Sequence, residues 1–379
     1  MGQHRRTFTF AIVLTTVATL LWTADYLPLP VVYPEKKREP ETIPWRDFLY
    51  PSFSQKCFAY EGTDAENLCC NMKQYRSVED IRQCIRGLAQ DVAMVSRSTP
   101  RTSLPLHSTQ KNKEEQKNIL LKNRPLNTTN WAFIGDSHGR YLFCAIFSHM
   151  KGPEFQCRIP DFQGEWRSLD YFLDKLPSCR YKGDFIEIRH VHSPFTLTYY
   201  KDQYLTNLTR LMRQWENNER PYPTFLVMNT GNHWMRYLEP SYLRKGVKAA
   251  GKIFEKHLLS VAPLISRLAR TATVIFKMQD DLQVAYIRKP KVKSFTVANF
   301  REYNAIYRRV LKDTGVVFWD STLPLSRAYN QECLRNPRHL EDTLLWMCKD
   351  VVHVGYILWN QYADMVLNAA CGQRMSNCV

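Results

Sequence analysis

The segment around Ser137 has the residue types of a serine nucleophile at the end of a strand. An apolar run over residues 131–135 leads into Gly135-Asp136-Ser137, and a helical pattern follows directly. Gly135 permits a tight turn, and the free N–H groups at the start of a helix can stabilise an oxyanion. Asp136 or Ser137 can also be a simple N-cap for a helix over 138–150. This segment alone leaves both interpretations of Ser137 open.

A histidine suited to activate Ser137 lies near the C-terminus. Asp350 stands three residues before His353, immediately ahead of the last amphipathic helical pattern. A serine hydroxyl needs a general base, and an imidazole serves best when a carboxylate fixes its tautomer and supports its positive charge. Asp350 and His353 on one turn can meet this need. An aspartate helix cap beside a solvent-facing histidine has the same spacing and stays an alternative.

A third polar segment follows another strand pattern. The pattern over 224–229 ends in Asn229-Thr-Gly231-Asn232, followed by His and Trp. An asparagine amide beside a glycine-opened turn can donate to a developing oxyanion without taking up a proton. Asn and Gly also favour turns for purely conformational reasons, so turn formation is the alternative. Either asparagine can be the donor.

The strands that must position these residues are short and nearly continuously apolar. The pattern predicts five of them, at 131–135, 185–191, 224–229, 272–278 and 316–319. Such strands are buried on both faces, as in a parallel sheet, and helical patterns lie between them. We therefore predict a three-layer α/β sandwich with a mostly parallel five-stranded sheet, whose ligands bind beyond the carboxyl ends of the strands.

Three motifs in this order form a recognisable set. They are Gly135-Asp136-Ser137, Asn229-Thr-Gly231 and Asp350-x-x-His353. The set resembles the SGNH-hydrolase superfamily and, more narrowly, its PC-esterase branch, which includes trichome-birefringence-like and sialic-acid O-acetyltransferases of the Golgi. The resemblance covers residues 130–372 and implies an SGNH, flavodoxin-like fold.

The resemblance also implies roles for individual residues. It makes Ser137 the nucleophile, His353 the base and Asp350 the group that orients the base. Arg140, one helical turn after the serine, is expected to shape the oxyanion site or orient the triad. The residues expected around the oxyanion and the substrate are Gly135, Asp136, Arg140, Asn229, Gly231 and Asn232.

Three other histidines are interpreted more simply. His138 is expected to be solvent-exposed at the helix start, with a place lining the site as the alternative, and His190 and His192 are expected to face the cleft. Because no acidic or cysteine partner stands in ligand spacing near them, no metal site is predicted. The chain is also expected to bind no cofactor, apart from the acyl donor as co-substrate.

The N-terminus predicts a membrane anchor. Arg5 and Arg6 precede an uncharged apolar run, so residues 1–6 are interpreted as a cytoplasmic tail and 7–26 as a transmembrane signal anchor. A cleaved signal peptide is disfavoured, because Trp22 stands where a signal peptidase prefers a small residue. This topology, type II, places the rest of the chain in the lumen.

Four segments follow the anchor. Residues 27–50 are a proline-rich stem, 51–95 a cysteine-rich cap tied by disulfides, 96–125 a polar flexible insertion and 126–379 the catalytic domain. The 11 cysteines lack paired metal-type spacing and favour disulfides in an oxidising compartment. Their odd number leaves a thiol over, and Cys144 is predicted to be that thiol.

Sequons and charge agree with a secretory lumen. Asn127 and Asn207 are glycosylation acceptors in Asn-x-Thr sequons. The net charge of +16 favours an acidic glycan or anionic lipid as partner. A nucleic-acid partner is excluded by the compartment and by the lack of a recognition motif. The resemblance implies the Golgi membrane as the location.

The predicted function is transfer of an acetyl group to a glycan hydroxyl through an acyl-Ser137 intermediate. Water in place of the sugar makes the same site a carbohydrate O-acetyl esterase. A lumenal glycan-binding protein without catalysis is the alternative from another class. An acyl donor such as acetyl-CoA is needed as co-substrate, and a single membrane helix forms no channel, so a donor transporter is an expected partner.

Overall fold

One mixed sheet with helices on both faces forms the body of the protein. The computed structural model describes residues 75, 77–87, 129–150, 152–175, 183–281, 283, 292–335 and 346–371. The predicted tail, anchor, stem and insertion lie outside these residues, as do Asn127 and most of the predicted cap. In the part of the chain that the structure describes, no helix has the length and apolar character needed to span a membrane.

The sheet contains eight strands from the described residues. These are β1 (Thr129–Gly135), β2 (Phe155–Arg158), β3 (Arg167–Ser168), β4 (Phe185–His190), β5 (Phe195–Lys201), β6 (Phe225–Met228), β7 (Thr273–Lys277) and β8 (Val317–Trp319). Their order across the sheet is β3-β2-β4-β5-β1-β6-β7-β8. The pairs from β5 to β8 are parallel, and the pairs from β3 to β5 are antiparallel.

The prediction of an α/β fold with a mostly parallel sheet is confirmed, but the predicted number of five strands is wrong. The predicted strand over 185–191 exists as β4, yet it pairs antiparallel with β5. Residues 191–194 join the two strands, and a connection this short allows a hairpin but no parallel crossover. The fifth parallel strand is β5, which the sequence pattern did not predict.

Helices cover both faces of the sheet. On one face lie α1 (78–87), α2 (Ser137–Ser148), α3 (Leu169–Lys175), α8 (Thr322–Arg335) and α9 (Tyr356–Ala370). On the other lie α4 (Leu208–Glu216), α5 (Asn232–Tyr237), α6 (Glu239–Ala269) and α7 (Val297–Leu311). A short 3₁₀ helix, Pro160–Phe162, follows β2.

Alternation along the strands creates a separate core on each face. In β1, Trp131 and Phe133 pack into the core under α2 and α9, whereas Ala132 and Ile134 pack into the core under α6 and α7. Successive side chains of a strand point to opposite faces, so a strand covered on both sides must be apolar throughout. The continuous apolar run of β1 thus follows from its central position.

Two disulfides connect elements on the α2 and α9 face. Cys84 in α1 is bonded to Cys371 after α9, and Cys333 in α8 is bonded to Cys348. Their Cα atoms are 5.3 and 5.5 Å apart. Cys84 therefore does not close a bridge within the predicted cap, because its partner comes from the other end of the chain.

The prediction that Cys144 is the free thiol is wrong. Cys144 is disulfide-bonded, and the free cysteine among the described residues is Cys157, in β2. Burial, together with the nearby Glu187 carboxylate, raises the pKa of the Cys157 thiol to about 12. Cys157 is thus an inert core residue rather than a reactive thiol.

Candidate active site

Ser137 begins helix α2 at the carboxyl end of the central strand β1. Asp136 is the N-cap of this helix, because its Oδ1 accepts the backbone N–H of His138 at 2.9 Å. The capping role that the sequence left open for Ser137 therefore belongs to Asp136. The first N–H groups of a helix have no partner within the helix, and here the Asp136 side chain takes the one of His138.

Ser137, His353 and Asp350 form a hydrogen-bonded row. The Oγ of Ser137 lies 2.7 Å from Nε2 of His353, and Nδ1 of His353 lies 2.9 Å from Oδ2 of Asp350. Because Nδ1 faces a carboxylate, it carries the proton, which leaves Nε2 to accept the hydrogen of the serine hydroxyl. This is the geometry of a nucleophile next to an oriented general base.

The carboxyl of Asp350 is ionised. Burial raises its pKa, but the hydrogen bond from His353, the charge of that ring and the backbone N–H groups of Val352 and His353 outweigh burial and lower the pKa to about 2. Oδ1 accepts both backbone N–H groups at 3.0 Å, so Oδ2 is left for the imidazole. A charged Asp350 can support the imidazolium that forms when His353 takes a proton.

Contacts from three segments hold the loop that carries His353. The amide of Gln283 donates to the backbone carbonyl of His353 at 2.7 Å. The backbone N–H of Gly355 donates to the hydroxyl of Tyr329 in α8 at 2.8 Å. Cys348, just before this loop, is bonded to α8 by its disulfide. His353 thus lies in a loop that is tied to the body of the domain.

Asn229, one of the two predicted oxyanion donors, is turned toward the N-cap. Its Nδ2 donates to Oδ1 of Asp136 at 2.5 Å. Gly135 makes this approach possible, because a Cβ at that position would collide with the side chain and the backbone carbonyl of Asn229. Asn229 therefore braces the turn that presents Ser137.

Asn232, the other predicted donor, follows a glycine with a special conformation. Gly231 has φ +139°, where a side chain is rarely tolerated, and a Cβ there would meet the Tyr307 hydroxyl and the Gln279 amide. The Asn232 side chain is buried, and its Nδ2 lies 2.9 Å from Nε2 of His138. Asn232 thus contacts His138, for which a place lining the site was the alternative interpretation.

His138 is buried, so the prediction that it is solvent-exposed is wrong. Only 2% of its side chain is accessible, and its Nδ1 lies 3.5 Å from Oδ2 of Asp280. The same Oδ2 accepts from Nζ of Lys277 at 2.8 Å, and Tyr362 donates its hydroxyl to Oδ1 at 3.0 Å. Burial raises the pKa of the Asp280 carboxyl, but Lys277 and His138 outweigh it and lower the pKa to about 2.

Arg140 and Tyr141 border the triad on the α2 side. Arg140 is half-buried one turn into the helix, and its guanidinium lies 5.3 Å from the centre of the Tyr141 ring. The Tyr141 ring meets the His353 ring edge to face at 5.4 Å. The role of Arg140 at the oxyanion or the triad stays a prediction. The contact of Tyr141 with His353 had no signal in the sequence.

His190 and His192 lie at the other end of the sheet, so the expectation that they are near the cleft is wrong. Strand β4 runs antiparallel to β5, and its last residues therefore reach the edge where the parallel strands begin. With Arg82, Pro153 and Glu154 they line a cavity of about 360 Å³. Burial lowers the pKa of His190.

Glycosylation and metal binding were both considered from the sequence. Asn207 is exposed at the start of α4, and its glycosylation stays a prediction. Within the described ranges, no group of three or more His, Cys, Asp or Glu side chains is placed to hold a metal ion.

Comparison with known proteins gives only distant structural similarity. No protein-family model matches the chain, and no curated protein matches it. LAE5, an α/β hydrolase enzyme from the metagenome of Lake Arreo in Spain, is 15% identical with a TM-score of 0.36, over 64% of this chain and 95% of that one. Axe2, an acetylxylan esterase from Geobacillus stearothermophilus, is 14% identical with a TM-score of 0.33, over 65% and 95%. At TM-scores below 0.5, these similarities support no conclusion about chemistry, which follows from the side chains of the site itself.

Proposed function

We propose that the protein is a serine-dependent acyl-transfer enzyme that forms an acyl-enzyme on Ser137. The observation that carries this proposal is the row from Ser137 Oγ through His353 to Asp350, with steps of 2.7 and 2.9 Å. In the first half of the reaction, Oγ attacks the carbonyl carbon of the acyl donor while Nε2 takes the hydroxyl proton. His353 then returns this proton to the leaving group as the tetrahedral intermediate collapses.

The acceptor enters in the second half of the reaction. His353 deprotonates the acceptor hydroxyl, which attacks the acyl carbonyl of Ser137, and the proton returns to Oγ when the ester bond to the enzyme breaks. We propose a glycan hydroxyl as the acceptor and acetyl as the acyl group, which makes the protein an O-acetyltransferase. The resemblance of its three motifs to the PC-esterase branch supports this choice.

The setting of the reaction belongs to the same proposal. A type II anchor in the Golgi membrane places the site in the lumen, where glycan acceptors occur. The donor is then acetyl-CoA or another acetyl carrier delivered through a transporter partner. The net charge of +16 favours an acidic glycan as acceptor.

Mass spectrometry of glycans tests the proposal. The full chain, produced through a secretory route with its disulfides intact, is incubated with an acetyl donor and a panel of neutral and acidic glycans, with Ser137→Ala as the control. We expect an added acetyl mass on a glycan in the wild type only. Loss of acetyl from preacetylated glycans, without any gain, would overturn the transferase and identify an esterase with the same triad. No Ser137-dependent change of either kind would overturn both.

A further inference from the structure

Three buried residues next to the triad, His138, Asp280 and Lys277, have no role in the proposed reaction so far. His138 directly follows the nucleophile, and its ring centre lies 5.3 Å from that of His353. Asp280 is buried to the same extent as His138, and Lys277 is buried still further, at 1% exposure. Burying three polar groups is costly unless they pair with one another, and here they do.

We propose that His138, Asp280 and Lys277 are positioning residues that orient the Asn232 amide as the side-chain donor to the oxyanion formed at Ser137. This inference rests on the proposed acyl-transfer function. Three contacts link these residues in a row. Nζ of Lys277 lies 2.8 Å from Oδ2 of Asp280, the same Oδ2 lies 3.5 Å from Nδ1 of His138, and Nε2 of His138 lies 2.9 Å from Nδ2 of Asn232.

The direction of this row of contacts follows from its charges. The carboxylate of Asp280 faces Nδ1 of His138 and attracts a proton to that nitrogen. Nε2 is then an acceptor, and it takes one N–H of the Asn232 amide. The second N–H of the amide is left for another acceptor. With the opposite tautomer, the amide would have to rotate and present its carbonyl to His138.

Lys277 completes the arrangement by compensating the charge of Asp280. Its Nζ pairs with the carboxylate and lies 5.0 Å from the centre of the Tyr362 ring, whose hydroxyl also binds Asp280. Lys277 and Asp280 together carry no net charge, so they can polarise His138 without adding a charge beside His353.

The two predicted oxyanion donors differ in what they contact. Asn229 uses its amide on the carboxylate of Asp136, which strengthens the turn under Ser137. Asn232 uses its amide on a ring nitrogen of His138, the residue directly after the nucleophile. The side-chain oxygens of both asparagines are buried and have no partner in the described part of the chain, so they do not distinguish the two. An oxyanion is an acceptor, so it can take only the second N–H of an amide. The ring that takes the first N–H of Asn232 lies 5.3 Å, centre to centre, from the ring of His353. The structure therefore favours Asn232.

Kinetics on an activated acetyl ester test this inference. The double variant Lys277→Met/Asp280→Val removes both charges together, so no lone buried charge remains. Asp364→Val is the matched control, because Asp364 is an equally buried carboxylate that binds the Tyr75 backbone. Asn232→Ala is expected to lower kcat by roughly a hundredfold, the cost of one oxyanion donor. The double variant should lower kcat by roughly tenfold with little change in KM, whereas the control keeps the wild-type kcat.

Non-additivity separates positioning from general loss of structure. Adding Asn232→Ala to the double variant should lower kcat no further than Asn232→Ala alone, because the three residues act through the asparagine. Losses that multiply, or a double variant that behaves like the control, would overturn the inference while leaving the proposed function intact. A wild type without Ser137-dependent turnover would overturn both.

A measurement independent of activity covers the case in which a variant folds poorly. Ring ¹⁵N NMR of the wild type should show His138 protonated at Nδ1 with a deprotonated Nε2. A wild-type His138 that is protonated at Nε2 would contradict the proposed polarity and overturn the inference.

Discussion

The two histidine–aspartate pairs at the carboxyl edge of the sheet differ in access and in partners. In the pair His353–Asp350 the ring is 21% exposed and the carboxylate 34%, whereas both members of the pair His138–Asp280 are 2% exposed. The first pair meets the serine hydroxyl, and the second meets the amide of Asn232. The two pairs therefore suit different roles in the proposed reaction, because only the first pair is accessible to a substrate.

The pairs also differ in what stabilises the carboxylate. Asp350 relies on His353 and on two backbone N–H groups of its own loop, whereas Asp280 relies on a buried ammonium group, Lys277. A carboxylate whose main partner is an imidazole stabilises the positive charge that forms when this imidazole takes up a proton. A carboxylate that is already compensated by a lysine provides a fixed environment instead. The first arrangement suits catalysis, and the second suits positioning.

The largest expected difference between the two pairs is in kcat, when each histidine is replaced in turn by alanine. His353→Ala should lower kcat by roughly 10⁴-fold or more, since the general base is lost. His138→Ala should lower kcat by roughly a hundredfold at most, the value of one oxyanion donor. Steady-state kinetics on an activated acetyl ester measures both. Equal losses would mean that the two histidines do not have separate roles.

Replacing the carboxylate of the first pair gives the next largest effect. Asp350→Asn should lower kcat by roughly 10³- to 10⁴-fold, because the amide no longer fixes the tautomer of His353. Asp202→Asn is the control, since Asp202 is a buried carboxylate after β5 that binds backbone N–H groups of its own loop. A pH profile of kcat for each variant checks this prediction. A similar loss in both variants would argue against an orienting role for Asp350.

Stability should rank the two carboxylates in the opposite order. Asp280→Ala leaves the buried Lys277 without its counter-ion, so we expect a loss of about 3–5 kcal/mol in the free energy of unfolding. Asp350→Ala removes a capping carboxylate from a loop and should cost about 1 kcal/mol. Urea unfolding of the two variants measures the difference. A greater loss in Asp350→Ala would contradict the assignment of structural support to the buried pair.

Acid titration should show the smallest of these effects. The pKa of Asp280 falls from 3.8 to about 2 on folding, so the folded state binds fewer protons than the unfolded state in this range. The stabilisation is complete above about pH 4 and is lost as the pH falls toward about 2. Unfolding free energies across this range should fall less steeply in Lys277→Met/Asp280→Val than in the wild type. An unchanged slope would show that Asp280 does not contribute to acid unfolding.

Local patterns in the sequence predict part of this arrangement. The helix start at Ser137 and the spacing of Asp350 and His353 can be recognised because each depends on neighbouring residues. Apolar runs predict the central strands for the same reason. The buried position of His138 has no local signal, because its partners Asp280 and Lys277 come from the end of a different strand.

Strand direction and cysteine pairing were mispredicted for a related reason. An apolar run does not encode direction, and β4 is antiparallel because its short connection forms a hairpin with β5. Strand β5, with its alternating threonines, lacks the continuous apolar run that revealed its neighbours. Cys84 and Cys371 meet only because α1 and α9 lie on the same face of the sheet.

Covalent labelling of Ser137 tests the central claim most directly. A fluorophosphonate probe is added to the folded, disulfide-intact chain, and the modified peptide is identified by mass spectrometry. The geometry predicts rapid modification of Ser137 in the wild type, none in Ser137→Ala and a severe slowing in His353→Ala. The absence of modification in the folded wild type, or modification at an unchanged rate in His353→Ala, would contradict a nucleophile activated by this histidine.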